Sequence, residues 1–162
     1  MKKTGIVLLL FALFFGCAST GQSPSVGKIA PDFSITDVSG DEVRLSDFKG
    51  KKNVVLVFYA DSGWSISSRR LGELQEKISE IENLDSEVVA FATAGTQDDV
   101  EISKSFHEIT FTLIPTPNRS VAKQFGVRTY ATIIIDKDGI IRFKEIDDIT
   151  SASYIVEELQ AI

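Results

Sequence analysis

Six consecutive apolar residues, Val54-Val55-Leu56-Val57-Phe58-Tyr59, constrain the fold more than any other stretch of the chain. The run is short and rich in β-branched side chains, and it offers no polar residue to water. It therefore reads as a strand covered on both faces, as in a parallel or mixed sheet. Such a strand needs amphipathic helices to cover it, and one follows. Leu71, Leu74, Ile78 and Ile81 recur at three- and four-residue steps with Glu, Lys and Arg between them. Val88 to Ala92 is a second buried strand, which completes a βαβ unit.

The remaining elements fit around that unit. Ala30 to Ile35 and Val43 to Leu45 alternate apolar and polar residues across a Gly40-Asp41 turn, which predicts a hairpin. Ser46 to Gly50 reads as one helical turn with a serine cap and a glycine stop. Asp98 to Phe106 predicts a helix, and Asn118 to Phe125 a shorter one closed by Gly126. Ile133 to Ile135 and Ile140 to Phe143 flank the turn Asp136-Lys137-Asp138-Gly139, a second hairpin. Ser151 to Ile162 closes the chain as a helix, with Tyr154, Ile155, Leu159 and Ile162 on one face. The order is hairpin, β, α, β, α, short α, ββ, α. It predicts an α/β fold, a central mixed sheet flanked by helices on both faces.

The first residues differ in kind from the rest. Lys2 and Lys3 precede Ile6 to Phe15, an unbroken apolar run that suits a secretory signal and is short of the roughly 20 residues a membrane span needs. Gly16-Cys17 and the small polar stretch from Ala18 to Pro24 resemble the lipobox of bacterial lipoproteins. That resemblance implies cleavage before Cys17, acylation of its sulfur, and partnership with a membrane at the periplasmic or extracytoplasmic face of the cell envelope. Phe14 and Phe15 depart from the pattern, which favours Leu and a small residue there. An uncleaved anchor, or an ordinary signal cut near Ala18, are the alternatives. The predicted organisation is a signal peptide over 1–16, an acylated cysteine with a flexible tether over 17–26, and one domain over 27–162.

Composition narrows the chemistry. Residues 1–16 hold two lysines and no acid, so the remainder carries 15 basic against 23 acidic side chains, a net charge of −8. With no basic run, neither nucleic acid nor anionic lipid is an expected partner. Cys17 is the only cysteine and His107 the only histidine. If Cys17 is the anchor, the domain has no thiol, disulfide or cysteine-based metal site, and one imidazole does not make a zinc centre. No metal or other cofactor is expected. His107 reads as an exposed residue at a helix C-terminus. Asp136 and Asp138 are hairpin-turn acids, too few for a calcium loop, and Asp147-Asp148 is a solvated loop.

Four segments in order resemble the redoxins, the thioredoxin-fold proteins of the alkyl hydroperoxide reductase and thiol-specific antioxidant group, which include peroxiredoxins. They are Ala30-Pro31-Asp32-Phe33, Leu45 to Lys51 with Val54 to Tyr59, Asn118 to Val127, and Thr132 to Phe143. The resemblance covers about Gly27 to Ile162 and implies a thioredoxin-like fold. It also implies a cysteine just after the long strand, where a helix N-terminus favours thiolate. This chain reads Asp61-Ser62-Gly63-Trp64-Ser65-Ile66-Ser67-Ser68-Arg69-Arg70 there. Against a Gly-Trp-Cys-x-x-Cys pattern, Ser65 and Ser68 stand at the thiol positions. Against the peroxidase pattern, Ala60, Trp64 and Ser67 stand at Pro, Thr and Cys. Serine has no acidity near neutral pH and cannot pass through sulfenic acid or disulfide. No Gly-x-Ser-x-Gly elbow frames any of the three.

Two further departures agree. Tyr130-Ala131-Thr132 stands where the family carries a cis-proline facing the thiols, so the bond before Tyr130 is expected to be trans. Arg128 resembles the family's active-site arginine and, without a thiolate, is expected in a surface ion pair. Ser65, Ser67 and Ser68 then cap or line the first helical turn, Trp64 packs over the helix start, and Arg69 and Arg70 form a solvated face. Two functions follow. One is a non-catalytic binding or structural module, whose groove around Trp64, Arg69, Arg128 and Tyr130 takes a protein or small ligand. The alternative is a thiol-dependent peroxidase or disulfide oxidoreductase, with sulfur supplied by a partner or by Cys17.

Overall fold

The computed structural model describes residues 23–60, 66–115 and 119–162, with side chains in the second segment from Arg69 onward. Strands β1 (Ser34–Thr36) and β2 (Glu42–Arg44) form the first hairpin, with Ile35 opposite Val43. A five-stranded sheet holds β3 (Asn53–Ala60), β4 (Ser86–Ala94), β5 (Thr112–Pro115), β6 (Ala131–Ile135) and β7 (Ile141–Ile146) in the order β5-β4-β3-β6-β7. β3 lies at the centre, parallel to β4 and antiparallel to β6. This is the mixed sheet expected, and β3 is buried from Asn53 through Tyr59.

Alternation along β3 divides the core between the two faces of the sheet. Val55, Val57 and Tyr59 pack with α1 (Ile66–Glu76), α2 (Ile78–Glu82), α3 (Gln97–Phe106) and α5 (Ala152–Gln160). Val54, Leu56 and Phe58 pack with α4 (Ser120–Gln124) and the first hairpin. On that second face Phe58 stacks on Phe91 at 5.0 Å and Phe33 meets Phe91 edge-on at 5.3 Å. Such aromatic pairs contribute about 0.5–1.5 kcal/mol each beyond area burial.

Several expectations are corrected. β5 pairs with β4 alone, through Val89–Thr112 to Ala92–Pro115, and was not anticipated. The long helix breaks at Lys77 into α1 and α2, while Leu71, Leu74, Ile78 and Ile81 are all buried. In α5 the buried face is Ala152, Ile155, Val156 and Leu159, whereas Tyr154 and Ile162 are exposed. Ser46 is no cap: the turn Leu45–Phe48 is a 3-10 helix without a side-chain cap, and the Ser46 N–H donates to Asp32 Oδ1 at 3.0 Å.

The second hairpin is as expected and shows why its turn residues are needed. Asp136 Oδ1 accepts from the N–H groups of Asp138 and Ile140, both at 2.9 Å, and Oδ2 accepts from Arg142 Nε at 2.6 Å. Gly139 takes a φ of +83° that a side chain would strain. Burial pushes the Asp136 carboxyl upward, but the Ile140 N–H, the Arg142 guanidinium and the Asp138 N–H outweigh it and hold the carboxyl below the ordinary aspartate range.

The chain is also bound to the domain ahead of Gly27. Ser23 Oγ donates to Phe125 O at 2.9 Å, and Lys144 Nζ donates to Ser23 Oγ (2.6 Å), Pro24 O (2.6 Å) and Phe125 O (3.0 Å). Gly27 N–H then donates to Ile141 O, Ile141 N–H to Lys28 O, and Ala30 N–H to Gly139 O. Residues 23–30 thus form a strap along the outer edge of β7, and residues 23–26 are not a free tether.

Candidate functional site

In this fold chemistry belongs where the central strand ends and the first helix begins, because the helix start offers unpaired N–H groups and the positive end of its dipole. β3 ends at Ala60 and α1 opens at Ile66. Trp64 and Ser65, in the connection, lie outside the described residues; Ser67 and Ser68 fall in the first turn of α1, their side chains outside the description. Cys17 lies outside it as well.

The surroundings are well defined. Thr93, near the end of β4 and buried, places Oγ1 3.0 Å from Tyr59 O and 2.9 Å from Thr129 O. Its one proton can go to either carbonyl, so the hydroxyl ties together β3, β4 and the segment leading into β6. Tyr130 leans on the core beneath α1, and its carbonyl accepts the Asp147 N–H at 2.9 Å. No peptide bond among the described residues is cis, in line with the trans bond expected before Tyr130.

Arginines behave differently from one another. Arg69 is exposed, with Nε 3.8 Å from Glu73 Oε1, and Arg70 NH1 is 2.7 Å from Glu73 Oε2. They are the solvated helix face that was expected, tied to a shared acid. Arg128 is exposed and makes no ion pair among the described residues. His107 is corrected too: it caps α3 half-buried, with its ring against α1, where a Cβ on Gly72 would come within 2.7 Å of Nδ1.

Arg70, not Arg69, borders a hollow of about 430 Å³ beside α1, whose other walls include Phe143, Glu145, Asp148 and Tyr154. Thr150 Oγ1 donates to Glu145 Oε2 at 2.6 Å on its floor. A larger hollow, about 690 Å³, lies at the opposite end of the sheet between Asn53, Asp136, Arg142 and Leu159, away from the start of α1. Thr93 and the Glu145–Thr150 pair were not singled out from the sequence; nothing in an isolated threonine near a strand end signals that it will bridge two other elements. Among the described residues, no group of three or more His, Cys, Asp or Glu side chains is placed to hold a metal ion.

What the arrangement can do follows from the atoms at its centre. A thiol at the helix start would lose its proton readily, since a free cysteine has a pKa near ~8.5 and the dipole lowers it. A serine hydroxyl there serves as a hydrogen-bonding group. Comparison with known proteins decides the family: residues 26–144 match the AhpC/TSA family. This chain belongs to that family.

The AhpC/TSA match extends to individual relatives. Alkyl hydroperoxide reductase E of Mycobacterium tuberculosis (strain ATCC 25618 / H37Rv) is 32% identical over 130 residues, covering 75% of this chain and 84% of that protein. The chloroplastic 2-Cys peroxiredoxin BAS1 of Arabidopsis thaliana is 28% identical over 162 residues, covering 90% of this chain and 60% of that one. Among solved structures, the reduced 2-Cys peroxiredoxin of Plasmodium vivax superposes with a TM-score of 0.75 at 22% identity, covering 85% of this chain and 82% of that one. Peroxidoxin BcpB of Mycobacterium tuberculosis gives 0.74 at 20% identity, covering 85% and 97%. At that identity the structures speak to the fold alone, and the fold is thioredoxin-like.

Proposed function

We propose that this AhpC/TSA family member is a membrane-anchored lipoprotein of the cell envelope that has lost thiol chemistry and works as a non-catalytic binding or structural module. One observation carries the reading: Cys17 is the only cysteine of the chain, so residues 27–162 contain none. Peroxide reduction by this architecture needs a sulfur that can be oxidised and reduced again, and a hydroxyl cannot take that part. The frame that would present such a group is nevertheless kept, with Thr93 tying the strand ends and α1 starting beside them. Retention of the frame without the sulfur fits recognition better than turnover. The groove proposed for recognition runs from Trp64 and Arg69 to Arg128 and Tyr130, with Arg70 leading into the adjacent hollow.

A second reading has support from the names of the relatives, which include a hydroperoxide reductase and peroxiredoxins. It makes the chain a thiol-dependent peroxidase or disulfide oxidoreductase whose sulfur comes from Cys17 or from a partner. Hydroperoxide consumption by the full-length protein, with dithiothreitol or thioredoxin as electron donor, separates the two. The binding-module reading expects no turnover above a buffer control. Turnover that disappears in Cys17→Ala would overturn it in favour of the peroxidase.

A further inference from the structure

Four cations lie on or beside α4. The stretch 109–135 contains Arg119, Lys123 and Arg128 and no acid, in a chain whose net charge is −6. Lys144 joins them from β7, its Nζ 3.0 Å from Phe125 O at the C-terminal end of α4. None of the four forms an ion pair among the described residues, and Lys123 and Arg128 are exposed on either side of the exposed Gly126. Counting charge by sequence runs misses this cluster because the fourth cation comes from another strand.

The same spot is where the N-terminal strap meets the domain. Ser23 sits so tightly over Gly126 that a Cβ there would lie 2.5 Å from the Ser23 side chain. Lys144 holds Ser23 and Pro24 through two bonds of 2.6 Å. From Cys17 to Ser23 there are six residue steps, which span at most about 20 Å when fully extended. If Cys17 is acylated, Ser23 can never be farther than that from the lipid headgroups. An acylated chain would thus be leashed to the bilayer at its basic pole.

We propose that the α4 end of the domain is the membrane-facing surface, with Lys123 and Arg128 resting against anionic phospholipid headgroups. The inference rests on the anchoring of Cys17 proposed above. Charge complementarity supports the occupant: the stretch 109–135 is cationic and acid-free in a chain that is negative as a whole. Each cation at an anionic leaflet improves association about fivefold and acts within a Debye length, so the contact is salt-labile. It sets orientation, while the acyl chains provide retention.

The test uses the full-length lipoprotein in vesicles of phosphatidylcholine alone or mixed with phosphatidylglycerol, read by amide hydrogen exchange. Exchange over residues 119–130 should slow severalfold only in the anionic vesicles, return to its original rate in high salt, and be insensitive to lipid in Lys123→Glu/Arg128→Glu. Equal exchange in both vesicle types, or lipid-dependent protection confined to another face, overturns the proposal. The mass of the Cys17 peptide is read on the same sample. An unacylated Cys17 with salt-sensitive protection of 119–130 would defeat the anchor and leave the basic surface standing; acylation without that protection defeats the surface and leaves the anchor.

Discussion

At the scale of single residues, Asp136 shows how much one side chain can organise. Its carboxylate accepts two backbone N–H groups of its own turn and the Arg142 side chain, with only 11% of its side-chain surface exposed. Asp136→Ala leaves those donors unsatisfied, and we expect a loss of about 1–3 kcal/mol, measured by urea unfolding at neutral pH. The dependence on pH has a definite sign. The carboxyl is held below its ordinary range in the folded state, so its contribution is complete above the unfolded pKa of about 3.9 and fades as pH falls through the lower folded value. The gap between wild type and Asp136→Ala should therefore narrow in acid; a gap that is the same at pH 7 and in strong acid would refute the assignment. The serines at 65, 67 and 68 make the complementary point. They differ from cysteine by one atom, and that atom carries the acidity and the redox chemistry on which the family's reaction depends.

At the scale of elements, the contact between α1 and α3 is a test of how one glycine is used. Gly72 lies inside α1, where alanine would ordinarily be better by about 1 kcal/mol, yet a Cβ there would meet His107 Nδ1 at 2.7 Å. In a His107→Ala background, Gly72→Ala should gain nearly all of that amount, and in wild type much less, so a thermal or chemical unfolding cycle should show a coupling between the two sites. Equal gains in both backgrounds would mean that the ring does not demand the glycine. The same contact marks the boundary of what the sequence could tell. β3, β4 and the β6–β7 hairpin were legible because their apolar runs exceed any helical alternative and end in turn residues. β5 was not, since Thr112–Pro115 is only four residues long, pairs on one side alone and ends in proline, which reads as a connection. The position of the candidate site was legible from the order strand, loop, helix. Its bracing was not: Thr93 reaches Thr129 across 36 positions and Lys144 reaches Ser23 across 121, and no local pattern encodes such pairings.

At the scale of the whole molecule, two devices of unequal strength are expected to act together at the membrane. An acyl chain contributes about 0.8 kcal/mol per buried methylene, so two or more chains hold a small domain against both dilution and salt. The basic pole of Lys123 and Arg128 contributes only a screened, surface attraction. Among the described residues no helix is long and apolar enough to cross a membrane. Removing the sulfur should accordingly change the kind of attachment and not merely its amount. In fractionated cells the wild-type protein should leave the membrane only with detergent, whereas Cys17→Ala should move to the soluble fraction, any remainder washing off in high salt. A Cys17→Ala protein that withstands the salt wash and still needs detergent would place the anchor in the apolar run Ile6 to Phe15, as an uncleaved segment. The basic pole would then face the bilayer from a longer leash, because the residues between Phe15 and Ser23 would all belong to the tether.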